Sequence, residues 1–325
     1  MCRRKRPQLL VVGSLVMDLI VSAPRFPASG ETVIGEDFRT ASGGKGANQA
    51  VQAARLGAGV TMVGKTGRDT FGAEMRESLR LAGVDITHVT QAAGICSGVG
   101  NVQLQTDEEG ANNRIVVVPG ANMALGLEDV AFLEETISDY AMVLLQLEIP
   151  LAVNVLVAGY AARAGVPVML NSAPYAPLPP ELVASLSFLS PNEHEAELLT
   201  GIRITDLETA RRAAGRLRGM GVDNALITLG SRGAVLETND GFFHCPCITG
   251  VEVRDPTAAG DSFVGAFCTA VCLGMTWEEC LLFANFTASL TVSRMGAQPS
   301  LPGIREVLDF MGERETSIPA LQTLC

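Results

Sequence analysis

Short apolar runs rich in β-branched residues alternate along the chain with segments of helical periodicity. Six of these runs are predicted to be strands: 9–12, 60–63, 142–145, 166–170, 187–190 and 225–229. Alternation of this kind is typical of βαβ units, in which helices cover a mostly parallel sheet. The pattern therefore predicts an α/β fold whose ligands bind beyond the carboxyl ends of the strands.

Two segments interrupt this alternation. Residues 19–38 are rich in Pro and Gly, and residues 99–118 contain two β-prone runs on either side of a polar turn at 106–113. Both segments are predicted to form antiparallel strands that together make a small β-sheet lid over the site. The predicted α/β core then consists of residues 1–14, 43–95 and 121–325, and the predicted lid of residues 15–42 and 96–120.

The composition is that of a globular protein, with 325 residues, 47% hydrophobic content and a net charge of -11. Nucleic acids and anionic membranes are bound through clustered Lys and Arg, so this charge argues against both as partners. The start of the chain imitates a secretory signal, but Asp18 interrupts the apolar stretch and cleavage would delete the first strand. We expect a cytoplasmic protein, with Cys268, Cys272 and Cys280 reduced and buried in helices.

The first candidate for chemistry is the segment 255–261, Asp-Pro-Thr-Ala-Ala-Gly-Asp. An apolar stripe that ends at Gly274 predicts a buried helix starting near Gly260. Free N–H groups and the dipole at such a start favour negative charge, so the segment would form an anion hole. Asp261 stands beside the hole as the predicted base for an attacking hydroxyl. The alternative is that Asp261 only complements the helix dipole.

A second candidate is the glycine-rich segment 41–49, Ala-Ser-Gly-Gly-Lys-Gly-Ala-Asn-Gln, which leads into a helix predicted to stop at Gly57. Glycines at a helix start expose backbone donors. Lys45 and Asn48 add polar side chains, and the combination suits a polyhydroxylated ligand. The alternative is a plain flexible loop.

Polar residues also follow two later strands. Asn192 and Glu195 have the spacing of a helix-capping box, and Glu195 at this position would also order the water shell of a magnesium ion. The strand at 225–229 runs into the turn 230–233, whose backbone and Ser231 would contact nucleotide phosphates or ribose. These strand ends are predicted to form the nucleotide side of the site.

Residues 59–66 match the phosphate-loop pattern G-x-x-x-x-G-K-[ST]. A loop of that class needs its strand before the first Gly, whereas here the four variable positions are themselves the predicted strand. We therefore expect this match to be spurious.

Together these motifs resemble the family of ribokinase-like (PfkB) carbohydrate kinases over nearly the whole chain. Gly13 and Ser14 with Asp18 are similar to the first sugar-binding strand of the family, residues 43–49 to its first signature and residues 255–261 to its second. The resemblance implies a ribokinase-like, Rossmann-type sheet flanked by helices, with a small β-sheet lid. It also implies a kinase that uses ATP on a small-molecule sugar and forms a homodimer through the lid strands.

The resemblance implies a role for each matching residue. The residues implied to hold the sugar are Ser14, Val16, Asp18, Gly43, Gly44, Lys45, Gly46, Ala47, Asn48, Glu148 and Asp261. The residues implied to line the ATP site are Asn192, Glu195, Thr228, Leu229, Gly230, Ser231, Arg232, Gly233, Gly260, Asp261 and Asn285. Asp261 would deprotonate the sugar hydroxyl, and the amides of Gly260 and Asp261 would form the anion hole, with Ala259 as a further residue of the catalytic segment.

Two metal ions are implied as well. Glu195 would help to place magnesium through water. A potassium ion would lie under the anion hole, held by groups of Asp255, Thr257, Thr291, Arg294, Gly296 and Ser300. A cation there would hold the loop that forms the anion hole and would strengthen the positive electrostatic field at the hole.

The chain departs from the family pattern at Val16, where members commonly have Asn, and Pro256 in the second signature is less usual. Val16 offers a methyl surface in place of an amide, and apolar pockets reject a deoxy analogue only weakly. The predicted reaction is transfer of phosphate from ATP to the 5-hydroxyl of D-ribose, giving D-ribose 5-phosphate. The alternatives are 2-deoxyribose or another sugar of the family as substrate, and a catalytically inactive sugar or nucleotide sensor.

Overall fold

The computed structural model describes residues 6–107 and 110–323. Residues 1–5 of the predicted core, residues 108 and 109 of the predicted polar turn and residues 324 and 325 lie outside the described residues. Within the described chain, the strands form one sheet of nine and one sheet of four.

Thirteen strands occur in the described part of the chain. They are β1 (Gln8–Val12), β2 (Val16–Ala23), β3 (Asp37–Gly43), β4 (Gly59–Gly67), β5 (Asp85–Ala92), β6 (Gly98–Asp107), β7 (Gly110–Val118), β8 (Met142–Gln146), β9 (Val168–Asn171), β10 (Phe188–Ser190), β11 (Asn224–Thr228), β12 (Ala234–Glu237) and β13 (Phe242–Cys245).

Ten α-helices accompany these strands within the same described ranges. They are α1 (Lys45–Arg55), α2 (Thr70–Leu81), α3 (Leu133–Thr136), α4 (Leu151–Ala164), α5 (Pro180–Val183), α6 (Glu193–Thr200), α7 (Leu207–Arg218), α8 (Ala259–Cys272), α9 (Trp277–Val292) and α10 (Ile304–Gly312).

The order across the large sheet is β13-β12-β11-β10-β9-β8-β1-β4-β5. Neighbouring strands are parallel except at β11–β12 and β12–β13, which are antiparallel. All six predicted strands are present, as β1, β4, β8, β9, β10 and β11, and the mostly parallel α/β fold is confirmed. Strands β5, β12 and β13 were not predicted. The edge strands β5 and β13 are only partly buried, so their sequences lack the continuous apolar run of a central strand.

The central strand β1 separates two hydrophobic cores. Leu9 and Val11 pack with residues of α1, α8 and α9 on one face of the sheet. Leu10 and Val12 pack with residues of α4 and α7 on the other face. Successive side chains of a strand point to opposite faces, so a strand covered by helices on both sides must be apolar at every position.

The small sheet has the strand order β3-β2-β6-β7. Strands β2 and β3 pair antiparallel, as do β6 and β7, which confirms the two predicted antiparallel pairs. The central pair, β2 and β6, is parallel, so the lid is a mixed sheet. Only residues 13–15 separate β1 from β2, so the lid lies at the carboxyl end of the central strand.

Helices α1 and α8 pack closely at a glycine. A methyl group added at Gly265 of α8 would lie 3.0 Å from the carbonyl oxygen of Gln49 in α1. Nearby, Ser262 Oγ donates a hydrogen bond to Gln52 Oε1 at 3.0 Å. This packing sets the first turn of α8 beside the first turn of α1, which are the two helix starts predicted from the glycine-rich segments.

The cysteines within helices are free thiols, with Cys268 and Cys280 buried and Cys272 partly buried. Burial raises the pKa of the Cys272 and Cys280 thiols to about 12. None of the helices in the described chain is both long and apolar enough to cross a lipid bilayer.

Candidate active site

The Asp261 side chain lies in the first turn of α8, and the residue is 7% exposed. Its Oδ2 accepts a hydrogen bond from Asn48 Nδ2 at 2.9 Å, and its Oδ1 accepts one from Gln49 Nε2 at 3.1 Å. Both donors belong to α1, so the two glycine-rich segments meet at this carboxylate. A carboxylate has about four acceptor positions, which leaves room for an incoming hydroxyl. Asp261 thus makes contacts beyond its own helix, which the role of a helix cap alone would not require.

The backbone at the start of α8 has free donors. Among the described residues, Ala259 N–H donates to Pro256 and Ser262 N–H donates to Ala258, while no acceptor outside the helix is found for Gly260 or Asp261 N–H. Free N–H groups at a helix start bind anions, and the helix dipole adds to the effect. The backbone of Gly260 and Asp261 can therefore stabilise a transferring phosphoryl group.

Ala258, directly before α8, has φ 61° and ψ 8°, in the left-handed region. A residue with a β-carbon pays roughly 1–2 kcal/mol for this conformation. The conformation turns the chain sharply from the segment before it into the helix. Such strain is tolerated where the surrounding structure requires the geometry.

The Asp18 carboxylate lies between two glycines of the lid. A methyl group added at Gly43 would lie 2.8 Å from Asp18 Oδ2, and one added at Gly100 would lie 2.4 Å from Asp18 Oδ1. Asp18 is paired with Gly100 across β2 and β6, and Gly43 with Val16 across β3 and β2. Both glycines are needed because any larger residue would displace the carboxylate.

Val16 lies two residues before Asp18 on the same face of β2 and is buried. Its Cγ1 lies 3.6 Å from the position that a β-carbon on Gly100 would take. Val16 therefore presents its methyl groups beside the Asp18 carboxylate.

Glu148 connects the glycine-rich segment with the end of β1. Its Oε2 accepts hydrogen bonds from the Ser14 hydroxyl and, at 3.0 Å, from the backbone N–H of Lys45. Gly44 has φ 91°, and a methyl group there would lie 2.7 Å from the backbone nitrogen of Val16. The predicted sugar residues Ser14, Val16, Asp18, Gly43, Gly44, Lys45, Gly46, Ala47, Asn48 and Glu148 thus surround the junction of β1, the lid and α1.

The charges at this junction are strongly coupled. Burial, together with the nearby carboxylates of Glu148, Asp261 and Asp255, raises the pKa of Asp18 from 3.8 to about 7. Burial opposes the charge on Lys45, but the carboxylates of Asp261, Glu148 and Glu195 outweigh it and raise the pKa of Lys45. Lys45 is therefore positively charged in a group of carboxylates, and its ammonium group can bind an anionic phosphate.

A cavity of about 970 Å³ extends from Lys45 and Asp261 over the carboxyl ends of β9, β10 and β11. Asn192 and Glu195 lie at its wall and form the predicted capping box, with Asn192 Oδ1 accepting from Glu195 N–H and Glu195 Oε2 accepting from Asn192 N–H, both at 2.9 Å. Burial raises the pKa of Glu195, against the opposing effects of the Asn192 hydrogen bond and Lys45. The volume suits a nucleotide.

The turn after β11 is only partly in this cavity. Thr228, Gly230, Ser231 and Gly233 line it, whereas Leu229 is buried in the core and the Arg232 guanidinium pairs with the Glu193 carboxylate. Asn285 also lines the cavity, and its Nδ2 donates to the carbonyl oxygens of Cys245 and Pro246. Leu229 and Arg232 are therefore not among the residues that line the cavity in the described chain, although Glu193, the partner of Arg232, does line it.

Among the predicted potassium residues, Asp255 links its own loop with the loop at Gly296. Asp255 accepts hydrogen bonds from Thr257 N–H at 2.9 Å and Gly296 N–H at 2.8 Å. Thr291 Oγ1 contacts Ser262 Oγ at 2.7 Å. The Arg294 side chain pairs with Glu306, so the residue's carbonyl oxygen is the group available for a cation, and Ser300 Oγ donates to Ala297.

The phosphate-loop match at 59–66 lies entirely within β4, so its rejection is confirmed. Residues near the site that were not among the predicted site residues include Gln49, Gly100, Gln146 and Asn171. Asn171 ends β9 and lines the cavity, so its place at the carboxyl end of a predicted strand was a usable signal. Gly100 required the register of β2 with β6, which the sequence pattern does not contain.

Comparison with known proteins agrees with this geometry. Residues 6–304 match the model of the pfkB family carbohydrate kinases. The chain belongs to this family. The family assignment confirms the resemblance inferred from the two signatures, and the lid and central sheet are those expected for a pfkB kinase.

Two pfkB relatives of assigned activity match over most of the chain. A ribokinase of Haemophilus influenzae is 37% identical over 308 residues, which cover 94% of this chain and 99% of the relative. A deoxyribokinase of Salmonella typhi is 32% identical over 308 residues, with the same coverage of 94% and 99%. A solved structure of Arabidopsis thaliana ribokinase in complex with ribose and ATP has a TM-score of 0.87 at 37% identity, covering 94% of this chain and 99% of that one.

Proposed function

We propose that the chain is an ATP-dependent ribokinase, which transfers the γ-phosphoryl group of ATP to the 5-hydroxyl of D-ribose and releases ADP and D-ribose 5-phosphate. One observation carries this proposal. The buried Asp261 carboxylate, held by two amides of α1, lies where the residues around Asp18 meet the nucleotide cavity. The similarity to ribokinases supports ribose as the sugar.

In this mechanism the chain binds and orients the sugar and ATP, and it accepts one proton from the sugar. The carboxylates of Asp18 and Glu148 accept hydrogen bonds from sugar hydroxyls, and Asp261 takes the proton of the 5-hydroxyl as that oxygen attacks phosphorus. The N–H groups of Gly260 and Asp261 stabilise the charge on the transferring group. A positioned base contributes about 10²–10⁴-fold in rate, and one oxyanion donor about 10²–10³-fold.

Magnesium and potassium are part of the proposal. Glu195, at the cavity wall, would order water around magnesium, which neutralises charge on the nucleotide phosphates. The oxygen atoms of Asp255, Thr257, Thr291, Arg294, Gly296 and Ser300 are hard donors of the kind that a potassium ion takes. Exchanging potassium for a large organic cation should lower both turnover and melting temperature, and indifference of both would contradict the potassium site.

We also propose a cytoplasmic homodimer that pairs through the lid. The edge strand β7 carries four consecutive apolar residues, Ile115, Val116, Val117 and Val118, each between 48% and 66% exposed. An exposed apolar edge strand is prone to pair with another chain. If the partner is a second copy of the same lid, the β7 edges of both copies are covered in one symmetric interface.

2-Deoxyribose is a second candidate substrate. Val16 places methyl groups beside Asp18, where an amide would otherwise distinguish a hydroxyl from a hydrogen. The similarity to a deoxyribokinase supports this alternative.

The test is ADP release, measured by a coupled assay, with ribose, 2-deoxyribose, fructose and adenosine as acceptors. Ribose should give the largest kcat/KM, and phosphorus NMR of the product should locate the phosphate on the 5-hydroxyl. Asp261→Asn should lower kcat by about 10²–10⁴-fold while ATP binding persists. If the protein turns over none of these acceptors, a catalytically inactive sensor is favoured. Near-normal turnover of Asp261→Asn would show that the base is another group.

A further inference from the structure

The Asp261 carboxylate is the last member of a line of buried amides that crosses three elements. Gln49 of α1 donates from Nε2 to Asp261 Oδ1 at 3.1 Å, and its Oε1 accepts from Gln146 Nε2 of β8 at 2.7 Å. Asn154 of α4 donates from Nδ2 to the carbonyl oxygen of Gln146, also at 2.7 Å. Gln49, Gln146 and Asn154 are completely buried.

The bonds of Gln49 determine which way its amide faces. Gln146 donates to its oxygen, so its nitrogen must face the other partners. That nitrogen donates one hydrogen to Asp261 Oδ1 and the second to Asn171 Oδ1 at 3.3 Å. The flipped amide would set its oxygen against the Asp261 carboxylate and its nitrogen against a donor, so the network allows one orientation only.

Stability alone does not account for this line of amides. Buried polar atoms without partners destabilise the fold, and Gln146 Oε1 and Asn154 Oδ1 have no hydrogen-bond partner within the described chain. Space for Gln146 also requires a glycine, since a methyl group on Gly13 would lie 2.0 Å from Gln146 Oε1. Apolar side chains would fill the same volume without unpaired atoms, and such departures from good packing are typical of functional sites.

We propose that Gln49 is a positioning residue of the phosphoryl transfer, which holds Asp261 in the orientation that receives the hydroxyl proton. The inference rests on the proposed function, with Asp261 as the base. Asn48 is the other donor to Asp261, and it is itself a proposed sugar ligand. Gln49 is therefore the donor whose bond does not depend on the sugar, and without it the carboxylate can rotate away from the reacting hydroxyl.

The experiment compares Gln49→Met with Gln52→Met. Both glutamines are completely buried in α1, but Gln52 donates to the Pro302 carbonyl oxygen and accepts from Ser262, with no contact to Asp261. We expect Gln49→Met to lower kcat by roughly 10–100-fold, to leave the KM for ATP nearly unchanged, and to move the acid limb of the pH profile of kcat upward. Gln52→Met leaves both donors to Asp261 in place and should therefore retain the pH profile of the parent.

A double mutant separates positioning from general damage. If Gln49 acts through Asp261, then Gln49→Met should lower kcat no further in the Asp261→Asn background. Equal losses in both backgrounds, or an unchanged kcat of Gln49→Met, would overturn the inference. If Gln49→Met does not fold, Gln49→Leu, which also lacks the donor and adds no charge beside Asp261, is measured instead.

The failure of the proposed function gives a different result. An active Asp261→Asn enzyme would remove the base assignment and this inference with it. An inactive Asp261→Asn enzyme with a fully active Gln49→Met enzyme would overturn the role of Gln49 alone.

Discussion

Asp18→Asn should stabilise the sugar-free protein at neutral and alkaline pH. Burial and three nearby carboxylates raise the pKa of Asp18 from 3.8 to about 7. The folded state therefore holds the proton more tightly than the unfolded state, so stability falls as pH rises from about 4 to about 7 and is then constant. A shift of this size corresponds to about 4 kcal/mol. Asparagine has nearly the same size and cannot ionise, so the variant should lack this dependence.

The assay is urea denaturation followed by circular dichroism, without sugar, at pH 5 and pH 8. Relative to the parent, Asp18→Asn should gain about 4 kcal/mol in free energy of unfolding at pH 8 and about 2 kcal/mol at pH 5. The difference between the two gains is the decisive quantity, because an altered hydrogen bond would shift both equally. Asp37→Asn, on the exposed part of β3, is the control and should change little at either pH.

The same substitution should lower kcat/KM for ribose by at least about 100-fold, because a charged acceptor of the sugar hydroxyls is lost. Stability and activity would then change in opposite directions at one residue, as at other strained functional sites. Equal gains in stability at pH 5 and pH 8, or a loss at pH 8 alone, would refute the reasoning.

Three further predictions concern other parts of the site. Ala258→Gly should raise the free energy of unfolding by about 0.5–1 kcal/mol, because glycine adopts the positive φ without strain. Ala259→Gly, in the adjacent helix, should lower it by about 1 kcal/mol. Thermal melting measures both variants, and a lower free energy of unfolding in both would contradict strain at Ala258. Val16→Asn should increase the preference for ribose over 2-deoxyribose by about 10-fold or more, measured as the ratio of kcat/KM, and an unchanged ratio would remove Val16 from specificity. Val116→Lys should produce monomers by light scattering at micromolar concentration, and a stable dimer would exclude β7 from the interface.

Much of the fold is predictable because β1, β8 and β11 are covered on both faces. Such strands must be apolar at every position, and this makes them visible in the sequence. The starts of α1 and α8 are equally visible, since glycines precede an apolar helical pattern in each. The edge strand β5 is partly exposed and mostly polar, so its sequence lacks the apolar run of a central strand.

The candidate site is less predictable because its contacts join distant parts of the chain. Residues of the two signatures could be named, but the bond from Gln49 to Asp261 depends on how α1 packs against α8. Gly100 matters only because the register of β2 with β6 sets it opposite Asp18. The left-handed conformation of Ala258 is also unexpected, since an alanine gives no local signal for it.

Gly265 has a consequence for how the protein tolerates change. It lies one turn beyond Asp261 in α8 and touches the backbone of Gln49, outside the cavity. Any larger residue there would push α8 away from α1 and lengthen the hydrogen bonds from Asn48 and Gln49 to the Asp261 carboxylate. Turnover would then suffer at a position that contacts neither the sugar nor the nucleotide, so loss of activity in a random variant need not mark a binding residue.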